Sequence, residues 1–357
     1  MRLPRHAEIW LPGYLKSRAA RLLSRKPPKR VWFAICDHFE PLWRGADLPQ
    51  GQERVAVWRR LWPELAAKIG PDSDGALPKY SFFYPQDEYF PELVEPLAEL
   101  TRLGIADVEV HIHHDNDGRD AFIEKISRFC GDLIHRHGLL RSANGNVRFG
   151  FIHGNWALDN SRPDGRWCGL NDEITILRDL GCYADFTMPS GAAPTQARMV
   201  NQIYWATDDP TAPKSYDYGV PLTLNNEERG DLLIISGPLG VRWLDRLIPR
   251  METAELAEHD PATPARVRGW FTLAPQIGDD LFIKLHTHGT QDKNSNLLLQ
   301  HQHVLETYAL VATQAGRLGA SVHFVSAWEM FQAAVAAGQG TRYERHANNT
   351  RVAVTHL

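Results

Sequence analysis

The segment VEVHIHHDNDG (residues 108–118) combines the alternation of a β-strand with an unusual density of metal-binding side chains. Successive strand residues point to opposite faces, so Glu109, His111 and His113 share one face and the apolar residues between them form the other. The apolar face can pack against helices, while the polar face can point into the centre of a barrel, where an ion can bind. The segment therefore predicts a strand over residues 106–114 that carries metal ligands at its carboxyl end.

Strand-like and helix-like runs alternate along the chain on both sides of this segment. Strands are predicted at residues 31–36, 79–85, 106–114, 147–155, 183–189, 231–238, 281–289 and 321–327. Helices are predicted at residues 52–69, 91–104, 121–138, 172–181, 296–319 and 328–338. This α/β alternation predicts parallel strands joined by crossover helices, and the number of units favours a βα barrel over an open sheet. Two stretches without this rhythm, 161–171 and 190–230, are predicted to be lids or binding loops.

The composition is that of an ordinary globular protein and gives no sign of a nucleic-acid partner. Of the 357 residues, 43% are hydrophobic and 23% are charged, and the net charge is -4. A chain of this charge has no electrostatic reason to bind nucleic acid. The four cysteines, Cys36, Cys130, Cys168 and Cys182, include no Cys-x-x-Cys pair. We therefore expect buried, reduced thiols rather than a disulfide framework or a zinc ribbon.

A single barrel domain is predicted to span residues 30–338, between a basic N-terminal segment (1–29) and a loose C-terminal tail (339–357). The first thirty residues contain nine Lys or Arg and one acidic residue. They lack the apolar run of a secretory signal, and no stretch approaches the roughly eighteen apolar residues that span a membrane. We therefore expect a cytoplasmic protein.

The N-terminal segment also carries a prediction of peripheral membrane contact. Residues 15–23 have the pattern of a short basic amphipathic helix, through which residues 1–27 would contact an anionic membrane surface. The alternative is a solvated tail, or a helix that packs on the domain.

Polar side chains follow most of the predicted strands at the end where such folds bind ligands. In chain order these residues are Asp37, His38, Glu40, His113, His114, Asp115, Asp117, His153, Asn155, Trp156, Asp185, Ser190, His286 and His288. Four strands end in histidine, which loop solvation alone does not explain. Imidazole and carboxylate suit a divalent transition metal, most naturally zinc but also nickel, cobalt or iron. His111, deeper in the third strand, is predicted to be either a direct ligand or a support for one.

A catalytic ion of this kind needs about three protein ligands and an open position for water. His113 and either His38 or Asp37 could supply two of them. The third could be Asp117 or His114.

The order of these motifs resembles the polysaccharide deacetylases, metal-dependent carbohydrate esterases built on a distorted (β/α)7 barrel. The resemblance lies in FAICDHFEP, YSFFYPQDEYFPELVEPLAELTRLG and VEVHIHHDND, followed much later by FIKLHTHG and RLGASVHFVSAWEM. It extends over roughly residues 30 to 335 and implies a distorted (β/α)7-type barrel with long inserted loops.

The resemblance also implies roles for individual residues. Asp37 takes the place of the catalytic base, His286 that of the general acid, and His113 that of the first histidine in the metal motif. His38 stands where the family has a metal-binding aspartate, and Asp117 where it has the second histidine. A His-for-Asp exchange across these positions could preserve the ligand chemistry, or Asp37 or Glu40 could bind the metal with His114 completing the set. The segment FIHGNWALDN takes the place of the strand end that shapes the sugar site. The substrate-binding candidates are His153, Asn155, Trp156, Asp185 and His288.

The predicted function is removal of an acetyl group, N-linked or O-linked, from a sugar or polysaccharide precursor by metal-assisted hydrolysis. Trp156, Trp167 and Tyr183 are candidates for stacking on sugar rings. One alternative is a glycoside hydrolase on a related barrel, which needs two carboxylates from the set Glu40, Glu109 and Asp185. The other is a carbohydrate-binding barrel with an altered metal site.

Overall fold

A large, mostly parallel β-sheet organises the protein. The computed structural model describes residues 3–24, 26–143, 145–226, 229–244 and 248–345. Within these residues the strands are β1 (Arg30–His38), β2 (Tyr80–Pro85), β3 (Ala106–Ile112), β4 (Arg141–Ala143), β5 (Asn146–His153), β6 (Cys182–Asp185), β7 (Ile203–Ala206), β8 (Gly219–Pro221), β9 (Leu232–Ile235), β10 (Gly240–Leu244), β11 (Ile248–Glu252), β12 (Gln276–Ile277), β13 (Asp280–Thr287) and β14 (Ser321–Phe324). The helices are α1 (Ala7–Ser24), α2 (Leu48–Ile69), α3 (Pro91–Arg102), α4 (Arg119–His137), α5 (Glu173–Asp179), α6 (Pro264–Leu273), α7 (Asp292–Ser295), α8 (His303–Arg317) and α9 (Ala327–Gly338).

The strand order explains how distant parts of the sequence meet at one edge. The pairing runs β12-β13-β1-β2-β3-β5-β6-β9-β7-β8, with β14 beside the first half of β1 and β4 beside β5. Strands β13, β1, β2, β3, β5, β6 and β9 pair in parallel, and β14 pairs in parallel with β1. The carboxyl ends of β1, β3, β5 and β13 therefore lie at the same edge of the sheet.

The mostly parallel α/β sheet predicted from the sequence is confirmed, but pairing among the described residues does not close it into the predicted (β/α)7-type barrel. Antiparallel strands occupy the two ends of the pairing order, β12 at one end and β7 and β8 at the other. Strands β7 and β8 come from residues 190–230, where the sequence predicted only a long loop.

Side chains on β1 alternate between two apolar cores. Val31, Phe33 and Ile35 pack against the surrounding helices, whereas Trp32 and Cys36 belong to a second core on the opposite face, which we call the enclosed face because α9 covers it. Helix α9 lies along this enclosed face and packs through Ala327, Met330, Ala333, Ala334 and Ala337. Its small alanine side chains allow the helix to approach the strands closely.

Local sequence signals account for several helix ends. Pro91 begins α3, where its missing N–H is tolerated. Gly138 ends α4 with a left-handed φ of 65°. Pro63 lies inside α2 without ending it. The predicted helix over 296–319 is interrupted, because the chain makes a π-helical turn and Gln302 then adopts a left-handed conformation just before α8.

The cysteines and the chain ends can be compared with their predictions. All four cysteines are free and buried, as the sequence predicted. Of the predicted tail, residues 346–357 lie outside the described residues, and so do residues 1 and 2. Helix α1 is longer than the predicted basic helix and packs on the domain, because Trp10 contacts an apolar cluster with Val200 and Leu239. None of the helices in the described ranges has the length and apolarity needed to cross a membrane.

A buried ion pair joins β3 to β4, β5 and β6 on the enclosed side of the sheet. Glu109 accepts hydrogen bonds from Arg141 Nη1 at 2.7 Å, Gly150 N at 2.6 Å and Tyr183 Oη at 2.8 Å. The side chains of Glu109 and Tyr183 are almost completely buried. These contacts give Glu109 and Tyr183 a role in the fold, so neither is free to act as the catalytic or stacking group that the sequence allowed.

Replacing Glu109 with glutamine should lower the free energy of unfolding by about 3–5 kcal/mol, because it removes one partner of a buried ion pair. The control Glu99→Gln removes a carboxylate that pairs with Arg59 at the surface. Its effect should be about 1 kcal/mol or less. Chemical denaturation followed by circular dichroism measures both. Equal effects of the two substitutions would contradict this role of Glu109.

Candidate metal centre

Six polar side chains converge at the carboxyl ends of β1, β3 and β13, and we call them the mouth cluster. They are His38, Glu40, His111, His113, His286 and His288. The register explains the convergence, because Cys36 on the enclosed face lies opposite His286, and His38 lies opposite Phe83 on that same face. The enclosed face that carries apolar side chains lower down therefore carries imidazoles at its open end.

Contacts within the mouth cluster are close enough for shared metal coordination. The His38 ring centroid lies 4.8 Å from that of His288, 5.2 Å from that of His111 and 5.9 Å from that of His286. Glu40 Oε1 lies 3.4 Å from His111 Nε2 and 3.7 Å from His113 Nε2. Ligand atoms form two groups that share Glu40, namely His38–Glu40–His288 and Glu40–His111–His113.

Hydrogen bonds fix the orientation of two of these imidazoles. His111 Nδ1 lies 2.9 Å from the Ile152 carbonyl oxygen, and His113 Nδ1 lies 3.0 Å from Asp87 Oδ1. Both neighbours are acceptors, so each Nδ1 carries a proton and each Nε2 faces Glu40. Metal-binding histidines are held in this way by a backbone carbonyl or a carboxylate.

Three buried ring nitrogens of the mouth cluster have no hydrogen-bond partner within the described part of the chain. They are His38 Nε2, His111 Nε2 and His286 Nδ1. Burial, together with the neighbouring His288, His111 and His286 rings, holds the pKa of His38 well below its usual range. Burial, followed by Lys284 and His288, does the same for the pKa of His286. Both imidazoles are therefore neutral, which is the form that binds metals.

Asp37, predicted as the catalytic base, does not belong to the mouth cluster. It lies on the helix-facing side of β1, where Oδ1 accepts a hydrogen bond from Gly289 N at 2.7 Å and Oδ2 one from Tyr80 Oη at 2.9 Å. Burial raises the pKa of Asp37 to about 8, although both donors lower it. A Cβ at position 289 would lie 2.1 Å from Asp37 Oδ2, so glycine is required there. Successive residues of β1 point to opposite faces, so His38 faces the mouth cluster and Asp37 does not.

His114, predicted as a ligand beside His113, belongs to a second and separate group that we call the deep cluster. It consists of His114, His153, Cys168 and Glu173, all of them buried. His114 Nε2 lies 2.9 Å from His153 Nε2 and 3.2 Å from Glu173 Oε1. Cys168 Sγ lies 3.3 Å from Glu173 Oε2. His153, predicted to bind substrate, is therefore held in this buried group instead.

Two predicted site residues are occupied by other partners. Asp117, predicted as a ligand, pairs with Lys125 Nζ at 2.5 Å and lies 3.6 Å from His114 Nδ1. Asp185 accepts hydrogen bonds from Thr187 N and Oγ1, and burial raises its pKa to about 7. Of the carboxylates considered for glycoside hydrolysis, only Glu40 belongs to the mouth cluster.

Asn155, Trp156 and Trp167 follow β5 in the chain and have different surroundings. Asn155 is exposed in a short turn after β5. Trp156 is half-buried, with its ring centroid 5.6 Å from that of His38 and 5.8 Å from that of His288. Trp167 lies under the guanidinium groups of Arg162 and Arg166. Trp156 is thus the aromatic candidate that borders the mouth cluster.

A further group, Asp72, Asp74 and His323, lies near the amino end of β1. Its carboxylates already have partners, since Asp72 pairs with Arg345 and Asp74 with His323. Because these carboxylates are already paired, we interpret the group as part of the fold rather than as a metal site.

Sequence reasoning missed the roles of Cys168 and Glu173. The histidines stood out because strands end in them, but Cys168 is a single cysteine in an irregular loop and Glu173 begins a short helix. Glu40 was considered as an alternative ligand and as a candidate carboxylate for glycoside hydrolysis. No spacing motif joins these residues, because they come from separate segments.

The chain matches no protein-family model and no curated protein. The resemblance to the polysaccharide deacetylases therefore stays a prediction from the motifs quoted above. The buried clusters of His, Cys and Glu residues could hold a metal ion, which agrees with the predicted metal requirement at this coarser level.

Asp87→Ala should weaken metal binding at the mouth cluster about 10–100-fold, because it removes the acceptor that orients His113. Glu124→Ala, which removes an exposed carboxylate on α4, serves as the control and should leave the affinity unchanged. Competition with a chromophoric chelator measures both affinities. Indistinguishable affinities for the two variants would show that Asp87 does not orient a ligand.

Proposed function

We propose that this protein is a metal-dependent hydrolase whose catalytic ion binds in the mouth cluster. One observation carries the proposal: buried imidazole nitrogens without hydrogen-bond partners converge with a carboxylate at the open end of the sheet. An unpartnered buried polar atom costs free energy, and a bound cation is the partner that neutral imidazoles and a carboxylate accept together. The donor set thus fits a divalent transition metal, with zinc as the first choice.

The ligands are assigned to Glu40, His111 and His113. Their ligand atoms lie within 4.8 Å of one another, and two of them are oriented by the Ile152 carbonyl and Asp87. Two histidines and a glutamate form a known catalytic set that leaves one position open for water. The group His38–Glu40–His288 offers the same donors and shares Glu40, so a second ion bridged through this carboxylate would be chemically equivalent.

The chemistry proposed is hydrolysis of an acyl group. The ion would polarise the acyl carbonyl and lower the pKa of its bound water. His286, whose Nδ1 has no partner among the described residues, can accept a proton from the water and return it to the leaving group. This assignment keeps His286 as the acid and transfers the role of base away from Asp37. Asp37 instead accepts a hydrogen bond from Gly289 N and so stabilises the turn that follows His286 and His288.

The substrate class is proposed to be an acetylated sugar or polysaccharide precursor. The sequence resemblance supports this class, and Trp156 supplies an aromatic ring at the edge of the mouth cluster. Indole rings stack on the apolar faces of sugars and have low conformational entropy to lose.

Chelation of the metal should abolish acetate release from an acetylated sugar, and restoring zinc should recover it. His286→Ala should lower kcat about 10²–10⁴-fold, as expected for loss of a proton-transfer group. Glu92→Gln, an exposed carboxylate change on α3, is the control. Acetate release that survives chelation would contradict the proposal. Glycosidic cleavage without acetate release would favour the glycoside hydrolase, and metal binding without turnover would favour the binding barrel.

We also propose that α1 contacts an anionic membrane surface. Leu15, Leu22 and Leu23 are exposed on this helix, at 57%, 61% and 86% of their areas. Lys16 and Arg18 lie on the same segment, so an apolar edge is flanked by positive charge. This combination is typical of helices that lie in the membrane interface.

Leu22→Glu should lower co-sedimentation with vesicles containing an anionic lipid, because it places a negative charge in the proposed contact. Leu103→Glu changes an equally exposed leucine on another part of the surface and should bind as the wild type does. A point substitution is preferable to deleting residues 1–27, since deletion would uncover the partners of Trp10. Equal sedimentation of both variants and wild type would refute the membrane contact.

A further inference from the structure

We propose that the deep cluster is a second metal site, with a structural ion held by His114, His153, Cys168 and Glu173. It is distinct from the mouth cluster, and the four side chains come from the end of β3, the end of β5, the following loop and the first residue of α5. Each of them is at most 5% exposed. The ligand chemistry indicates zinc.

The protonation pattern at His153 leaves a lone pair that faces the centre of the cluster. His153 Nδ1 lies 2.6 Å from the Gly154 carbonyl oxygen, which can only accept a hydrogen bond. Nδ1 therefore carries the proton, and Nε2 has an unshared pair. This Nε2 lies 2.9 Å from His114 Nε2 and 3.4 Å from Glu173 Oε1.

His114 presents its own nitrogen to the same point. Its Nδ1 is buried, and the nearest charged group, Asp117 Oδ2, lies 3.6 Å away. If Nε2 carried the proton, the lone pair of Nδ1 would face this carboxylate with no donor. If Nδ1 carries it, the proton is on the side of Asp117, and the lone pairs of His114 and His153 then face each other and Glu173. A cation at the centre satisfies all three groups.

Cys168 has the surroundings of a metal-bound thiolate. Asn160 N lies 3.2 Å from Sγ and Leu170 N lies 3.4 Å from it, so two backbone N–H groups are directed at the sulfur. A neutral thiol is only a weak acceptor, whereas a thiolate uses such donors fully. Binding of the ion would release the thiol proton to solvent and leave a thiolate–metal bond.

The geometry agrees with a closed tetrahedral site. Metal–ligand bonds of roughly 2.0–2.3 Å place tetrahedral ligand atoms roughly 3.3–3.8 Å apart. The separations among His114 Nε2, His153 Nε2 and Glu173 Oε1 are 2.9, 3.2 and 3.4 Å. Cys168 Sγ lies 3.3 Å from Glu173 Oε2, and one ligand atom from each of the four residues lies within 4.8 Å of the others. Small outward movements would therefore admit the ion. Four protein ligands leave no position for water, which is the feature of a structural rather than a catalytic zinc site.

Such an ion would fasten the loop between β5 and α5 to the end of the sheet. The loop has no regular helix or strand from residue 157 to residue 172, and Cys168 is its buried anchor. It begins at Gly154 and Trp156, which border the mouth cluster. A Cβ at Gly154 would lie 2.2 Å from His113 Cδ2, so the loop and that imidazole are in direct contact.

Cobalt substitution tests the site through the sulfur ligand. The full-length protein, stripped with a chelator and reloaded with Co²⁺, should show a sulfur-to-cobalt charge-transfer band. Cys168→Ala should lose this band and about one equivalent of bound metal. Cys130→Ala, at a buried cysteine on α4, should keep both. A wild-type protein without the band, or a band that persists in Cys168→Ala, would overturn the proposal.

Two further measurements keep the test decisive if Cys168→Ala does not fold. X-ray absorption at the zinc edge of the wild-type protein should detect a zinc–sulfur distance of about 2.3 Å, and its absence would refute the site. Trypsin should cleave after the exposed Arg166 faster once the metal is removed. Equal cleavage with and without metal would oppose a fastening role.

The mouth cluster can be separated from this result. In His111→Ala, which lacks a ligand of the mouth cluster, the charge-transfer band should remain. Loss of the band in this variant would show that the two clusters are not independent and would overturn the proposal as stated. A retained band in a protein without acetate release would refute the proposed function and leave the deep site in place.

Discussion

Buried imidazole nitrogens that the described chain leaves without a hydrogen-bond partner are the constraint on which the mouth cluster depends. Each such nitrogen costs about 1–3 kcal/mol when the group is removed from water. The mouth cluster contains three of them. His114 Nδ1 is a further one, but it faces Asp117, whereas His114 Nε2 faces His153 in the deep cluster. Several such costs at one edge of the sheet lower the free energy of unfolding, so we infer that these groups are kept there for binding rather than for stability. The proposed cation in the mouth cluster would convert part of this cost into binding free energy, and the position of the site follows from where the strands end.

Much of the fold could be predicted because long, strongly patterned segments determine their own structure. The alternation in residues 106–114 correctly predicted that Glu109, His111 and His113 share a face, and the resulting β3 extends to Ile112. The short strands β7 and β8 were missed, since three or four residues carry too little pattern to separate a strand from a loop. Whether the sheet closes depends on pairing between distant edges, which a single sequence does not contain.

The candidate site was predictable in location but not in detail. Histidines at strand ends indicated the edge of the sheet where the mouth cluster lies, and the resemblance put His38 among the metal ligands. The resemblance also made Asp37 the catalytic base, although Asp37 lies on the other face of β1. Both faces of β1 carry apolar residues, so the sequence does not show whether the odd-numbered or the even-numbered side chains point to the enclosed face. The answer comes from packing, because Trp32, Cys36 and His38 share a face with α9 whereas Asp37 contacts Tyr80 on the other. The deep cluster was unpredictable for a related reason, since its ligands meet only after the loop has folded back.

Helix α9 has a consequence for how a long substrate would approach. Its alanine-rich surface fills the enclosed face beneath the mouth cluster, together with apolar side chains from β1, β6, β9 and β13. Side chains therefore occupy this face beneath the mouth cluster, so a polymer would reach the cluster from the carboxyl ends of the strands. A chain-like substrate would have to lie across the rim or offer one terminal unit, and product would leave by the path on which the substrate arrived.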